Sequence, residues 1–223
     1  MNNTIVYRKE NKLNRKDMKK EVLFVLLNDY ADWEGAYLST ALNKGVMPGC
    51  ETLYTTKVMA PKIEEVYSLG GFRTMPDYSF DEVPENYAAL ILIGGESWKS
   101  PEAECVASIV RKAIEQGKVV GGICAAASFL AAHGFLNDVK HTGNGVENLK
   151  QWSGDKYTNE LNYIEAQAVS DKNIVTANGT GCLEFTRELL LLLKADTEEK
   201  INEFYDFQKD GFIRYFLKNG FIK

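Results

Sequence analysis

Histidine is scarce in this sequence, with two in 223 residues, and so are proline, with five, and cysteine, with four. The cysteines, Cys50, Cys105, Cys124 and Cys182, form no CxxC pair, so the spacing that builds a structural zinc site is missing. A disulfide framework is not expected either. A domain of this length buries enough surface to need no staples, and thiols of a reducing compartment stay free. Neither a metal nor another cofactor is expected. No apolar run approaches the roughly 20 residues that span a bilayer. The opening MNNTIVYRKENKLNRKDMKK is basic but lacks the apolar middle of a secretory signal, so none is expected there. An excess of positive charge is also lacking: the net charge is −5. That leaves no basic field for phosphate, so neither nucleic acid nor membrane is an expected partner. The protein is expected to be cytoplasmic, and its expected partner is a small-molecule substrate.

What is present is an ordinary globular composition, 45% hydrophobic and 26% charged, which excludes a disordered or coiled-coil chain. Residues 1–20 read as a polar N-terminal extension. The run EVLFVLL (21–27) is apolar throughout after its first residue, as a strand buried on both faces requires. A helical stripe of Trp33, Tyr37, Leu38 and Ala41 follows, with Asp32 expected as its N-cap. TLYTTK (52–57) reads as a second strand, and 66–80 as a short strand or hairpin. YAALILIGG (87–95) is a further buried strand. Ser100 and Pro101 suit the start of the next helix, and Gly117 its stop. The stretch 118–134 reads as strand, sharp turn and small-residue helix. AQAVSD and NIVTANG read as two late strands joined at Asp171–Asn173, and CLEFTRELLLLL as an apolar helix. This alternation predicts an α/β three-layer sandwich with a mostly parallel central sheet over 21–195. Residues 196–223 are expected to form a helical C-terminal extension, with Ile201, Phe204, Tyr205, Phe207 and Phe212 packing on the domain or, as the alternative, on a second subunit.

The most informative stretch is GKVVGGICAAASFLAAHG. A buried strand runs into Cys124 and a helix starts at once after it, with Gly121 and Gly122 before and three alanines behind. Small residues permit the tight, strained elbow that lifts a nucleophile to the carboxyl edge of a parallel sheet. A helix N-terminus there is expected to favour thiolate over thiol. Three other segments reach the same edge. GGESW (94–98) offers loop amides that, with the Ala125 amide, would form an oxyanion hole. Glu34 follows the first strand and, if protonated, would donate to the sulfur. His141, in KHTGNG, is expected to return to the thiol as general base or ion-pair partner. His133, at the end of the alanine-rich helix, suits a structural place. Cys182 reads as a packing residue.

The pieces DWEGAYL, LILIGGESW, VVGGICAAASFLA, KHTGNG and NIVTANGTGCLEFTRELL, in this order, resemble the ThiJ/PfpI superfamily of the class I glutamine amidotransferase-like fold. The resemblance covers residues 21 to about 195. It implies a flavodoxin-like sandwich, Cys124 as reactive nucleophile, Glu34 as its partner acid, and the amides of Gly95 and Ala125 as oxyanion donors. His141 corresponds loosely to the histidine that many members hold near the cysteine. A homodimer is implied as well. Two departures prune the activities: the histidine that peptidase members carry after the nucleophile is Ala125 here, and no histidine follows His141 to serve a glutamine amidotransferase. The expected function is a cofactor-independent cysteine enzyme acting on small carbonyl compounds, of glyoxalase or deglycase type. The alternatives are a redox-sensing stress protein whose cysteine oxidises to sulfinate, and an amidase or other acyl-transfer hydrolase.

Overall fold

The computed structural model describes residues 19–220. The polar stretch 1–20 lies outside it except for Lys19 and Lys20, as do the last three residues of the C-terminal extension. In chain order the elements are β1 (Lys20–Val25), α1 (Asp32–Lys44), β2 (Tyr54–Ala60), β3 (Val66–Tyr67), β4 (Arg73–Thr74), β5 (Tyr78–Ser79), β6 (Tyr87–Leu92) and α2 (Pro101–Glu115). Then come β7 (Val119–Ile123), α3 (Ala125–Ala132), α4 (Val146–Ser153), β8 (Ala168–Asp171), β9 (Ile174–Ala177), α5 (Cys182–Leu193), α6 (Glu198–Asp210) and α7 (Phe212–Lys218).

Seven strands form one sheet in the order β5-β2-β1-β6-β7-β9-β8. All pair in parallel except β8, which returns antiparallel along β9 through the turn at Asp171–Asn173. β3 and β4 make a separate antiparallel hairpin. The continuous apolar runs are explained by burial on both faces. Along β1, Val22 and Phe24 enter the core beneath α1 and α5, while Leu23 and Val25 enter the one beneath α2 and α3. The strand period of two sends successive side chains to opposite faces, so neither set can be polar.

The helix signals resolve as follows. The Ser100 side chain accepts from Ala103 N–H at 3.3 Å with Pro101 first in the helix, the capping geometry expected of that pair. Asp32 does not cap α1. It is the first residue of that helix, and its carboxylate instead accepts the Gly70 N–H at 2.8 Å, tying α1 to the β3–β4 turn. Beyond the sheet, α6 buries Ile201 and Phe204 in the core beneath α5. Its partner α7 packs back on α6 through Phe207, Phe212 and Tyr215. No described helix is long and apolar enough to cross a membrane.

The order of strands decides where a site can form. From β1 the chain moves outward to β2 and β5, then crosses back to β6 on the other side of β1. The loops leaving β1 and β6 run side by side at the carboxyl edge, joined by the Ala31 N–H donating to the Gly94 carbonyl at 2.9 Å and the Glu96 N–H to the Asp29 carbonyl at 3.1 Å, and this edge is where open α/β sheets hold their ligands.

Candidate active site

Cys124 stands at that edge, between β7 and α3. Its backbone is at φ 58° and ψ −124°, a conformation L-residues avoid, at a cost on the order of 1–3 kcal/mol. The elbow is held by its neighbours. The Cys124 N–H donates to the Ala177 carbonyl at 3.0 Å, anchoring the turn to β9. Gly122 is required because a Cβ there would sit 2.6 Å from the Leu130 side chain of α3. The thiol is half-buried rather than sealed in.

Glu34, on the first turn of α1, is 1% exposed. Its Oε2 accepts the Gly94 N–H at 2.7 Å. Its Oε1 is buried without a hydrogen-bond partner among the described residues and lies beside the Cys124 side chain. Two glycines make this approach possible. A Cβ on Gly94 would fall 2.5 Å from the Glu34 carboxylate and 2.6 Å from Cys124 Cβ, and one on Gly179 would fall 2.9 Å from the sulfur.

Burial dominates the electrostatics. It holds the Glu34 carboxyl up to about 7 from an ordinary 4.5, against the pull of the Gly94 N–H and of Cys124. Burial also pushes the Cys124 thiol up, and negative charge on Glu34 pushes it the same way, while the Asn144 amide and the Ala125 N–H pull it down. The expected thiolate preference from the α3 N-terminus is thus outweighed by desolvation. The pair behaves as a carboxyl and a thiol competing for protons. A neutral, proton-donating Glu34 is the state that tolerates a thiolate beside it.

The loop amides divide into used and free. Gly94 N–H is spent on Glu34 and Cys124 N–H on Ala177. Ala125 N–H reaches the sulfur. The Gly95 N–H takes no acceptor among the described residues. Its φ of 151° and its backbone packing against Asp29 leave no room for a side chain, since a Cβ would lie 2.3 Å from the Asp29 carbonyl oxygen.

The expectation that His141 reaches the thiol is not met. The ring is fully buried, with Nδ1 2.8 Å from the Val139 carbonyl and Nε2 2.6 Å from the Tyr157 hydroxyl, so both nitrogens are occupied. His133 packs on Phe129 and lies 3.7 Å from Glu104, in the structural place foreseen for it. The side chain that does arrive from the KHTGNG segment is Asn144. Its Nδ2 donates to Cys124 Sγ at 3.3 Å, and its Oδ1 accepts the Gly179 N–H at 2.9 Å. Reading for titratable groups passes over an amide. The signal that would have found it is an amide residue set between two glycines in a segment already marked as returning to the site. Cys182 is buried at the start of α5, where burial pushes its thiol up to about 11, the behaviour of a packing residue. Among the described residues no three His, Cys, Asp or Glu side chains gather in a group able to hold a metal ion.

The model of the DJ-1/PfpI family matches residues 20–192. The chain belongs to this family. Among curated relatives, the Bacillus subtilis protein named uncharacterized protease YdeA is 37% identical over 90% of this chain and 97% of its own length. The Caenorhabditis elegans glutathione-independent glyoxalase DJR-1.2 is 27% identical over 70% of this chain and 80% of its own. Among solved structures, a ThiJ/PfpI family protein from Bacillus anthracis is 31% identical, with a TM-score of 0.82 over 90% of this chain and 95% of that one. The DJ-1/PfpI sandwich accounts for the parallel sheet and its flanking helices. Relatives that carry enzyme names make an enzymatic role plausible for this member.

Proposed function

We propose that the protein is a cysteine-dependent enzyme acting on small 2-oxoaldehydes without a cofactor. One observation carries the reading: a strained, half-exposed Cys124 lies against a buried carboxyl that holds its proton to about pH 7. In the proposed reaction the Cys124 sulfur adds to the aldehyde carbon, forming a C–S bond, and the proton of the thiol ends on the former carbonyl oxygen. Glu34 acts here as the carboxylate, a form that titration at about 7 supplies at neutral pH: it takes the proton from that carbon and returns it to the neighbouring keto carbon, while the hydroxyl proton on the first carbon passes to the keto oxygen. The result is a thioester next to an alcohol. Water adds to the thioester carbon, the C–S bond breaks and the thiol recovers its proton, leaving a 2-hydroxy acid. The electrons lost at one carbon are gained at the next, so no outside oxidant is needed. The amides of Gly95 and Ala125 are suited to hold the developing oxyanion, and each such donor is typically worth about a hundredfold or more in rate. The name of the glyoxalase relative supports the same choice.

Purified protein is expected to turn methylglyoxal into lactate, and Cys124→Ser to abolish this. Equal background rates from both proteins would reject the reaction. Peptidase chemistry is less well supported despite the name of the Bacillus subtilis relative, because no histidine lies against the sulfur among the described residues.

A second reading, a thiol that oxidises to sulfinate, is favoured by the buried carboxyl, whose free Oε1 suits donation to a sulfinate oxygen. Limited peroxide followed by peptide mass analysis separates the two. Gain of two oxygens at Cys124 without aldehyde turnover would select the sensor. Within the same proposal the protein works as a cytoplasmic homodimer. The exposed Trp33, Tyr37, Leu69 and Phe72 on α1 and the adjoining hairpin support self-association.

A further inference from the structure

Asn144 lies on the exposed rim of the site, flanked by Gly143 and by Gly145 at φ 108°. The loop is held on both sides of it: the buried Gly143 carbonyl accepts from the Tyr163 hydroxyl at 3.4 Å, and the Gly145 carbonyl accepts the Leu149 N–H of α4 at 3.1 Å. The preceding residues supply the deepest anchor. The Val139 carbonyl can only accept, so His141 Nδ1 carries the proton and donates to it at 2.8 Å. The Nε2 lone pair then accepts from the Tyr157 hydroxyl at 2.6 Å, which fixes the neutral tautomer. The main chain of the same residue is clamped as well: its N–H donates to Asn162 at 3.2 Å and its carbonyl accepts from Ile164 at 2.8 Å. One residue on, Thr142 N–H donates to Thr176 Oγ1 on β9 at 2.8 Å, and Thr142 Oγ1 donates to the Ala166 carbonyl at 2.9 Å. The loop bearing Asn144 thus leaves a fully hydrogen-bonded buried anchor and ends, two residues later, on the sulfur.

We propose that His141 and Tyr157 form a positioning device for the reactive cysteine, acting on it only through Asn144. The amide is locked in one orientation because Oδ1 takes the Gly179 N–H, so Nδ2 faces Sγ and favours thiolate. The inference rests on the reading of Cys124 as the reactive group, but not on any particular substrate.

The test is the pH profile of iodoacetamide alkylation at Cys124, mapped by peptide mass, in the full chain. Asn144→Ala is expected to slow alkylation about tenfold below the wild-type midpoint, the loss of one hydrogen bond to a charged acceptor. Tyr157→Phe keeps the ring that packs edge-on against His141 at 5.4 Å and removes only the hydroxyl. It is expected to slow alkylation about threefold at the same pH. The double variant Asn144→Ala/Tyr157→Phe is expected to match Asn144→Ala alone, because both changes act through one amide. A Tyr157→Phe protein that melts earlier yet keeps the wild-type profile overturns the proposal, and so does a double variant slower by the full product of the two effects. His141→Ala should reproduce Tyr157→Phe or exceed it, and if it does not fold, Tyr157→Phe decides. Aldehyde turnover plays no part in the measurement. The predicted pattern in a protein without turnover upholds the positioning role while sinking the reaction, whereas a Cys124 inert at every pH sinks both.

Discussion

Glu34 holds its proton to about pH 7 in the folded protein, against an ordinary 4.5, so stability must depend on pH in a definite direction. Below pH 4.5 the carboxyl is protonated in both states and costs nothing. Between the two values the unfolded chain releases the proton while the native state keeps it, so stability falls as pH rises. Above about 7 both states are ionised and the full penalty, roughly 3 kcal/mol, is constant. Glu34→Gln keeps an acceptor for the Gly94 N–H and removes the titration. The gap in denaturant midpoint between the variant and the wild type is expected to widen in the variant's favour as pH rises from 4.5 to about 7, so that the variant is the more stable protein at pH 8. Parallel curves for the two would mean that this carboxyl is not the source of the slope. The same substitution removes the proton shuttle, so the gain in stability should accompany loss of aldehyde turnover.

Neighbouring residues differ in how far the sequence reveals them, for physical reasons. Cys124 and Glu34 were readable because their geometry is local: a strand, two glycines, a cysteine and three alanines specify an elbow, and the first loop of a parallel sheet returns to the same edge. His141 was not, since its approach depends on which way one ring turns in a long connection, and here burial and two hydrogen bonds turn it inward. Asn144 escaped because its role appears only when Gly179, from the loop after β9, comes within 2.9 Å of it.

At the scale of elements, the elbow depends on how closely β7 is covered. Gly121 faces α5, where a Cβ would lie 2.9 Å from Phe185, 3.1 Å from Ile91 and 3.3 Å from Leu189. All three neighbours are core side chains with little room to move. Gly121→Ala is therefore expected to cost about 1–3 kcal/mol through overpacking, seen as an earlier denaturant midpoint. Gly179→Ala tests the other wall of the site. Its added methyl meets the Cys124 sulfur, not the core, so the expected loss is in alkylation rate at Cys124, by about tenfold or more, with a smaller change in midpoint. A Gly179→Ala protein that is alkylated at the wild-type rate would show that the β9 loop yields and that the glycine is not needed for access. The mostly parallel pairing was implied by the alternation of strands and helices, whereas the order of the strands is set by tertiary pairing. The capping role expected of Asp32 failed because the side chain found a stronger demand in the β3–β4 turn, a tertiary contact with no local signature.

Over the whole molecule, stability and chemistry are placed on different parts of the structure. The site occupies the carboxyl edge of the sheet, whereas α6 fastens on α5 through Ile201, which is fully buried, and Phe204. Polar contacts reinforce the joint: Glu184 accepts from Tyr205 at 2.9 Å and pairs with Lys209 at 2.6 Å. Such half-exposed pairs are worth about 1 kcal/mol at most, so the buried apolar side chains carry the attachment. Ile201→Ala is expected to lose about 2–4 kcal/mol, a melting temperature lower by roughly 10 °C for a domain of this size. Cys124 should nevertheless be alkylated at the wild-type rate at 20 °C, because neither Cys124, Glu34 nor Asn144 touches α6. If alkylation instead falls in step with stability, the extension is coupled to the elbow through α5, whose first residue, Cys182, lies three positions after Gly179. Melting and alkylation measured on the same Ile201→Ala sample decide between a helical brace and a helical lever.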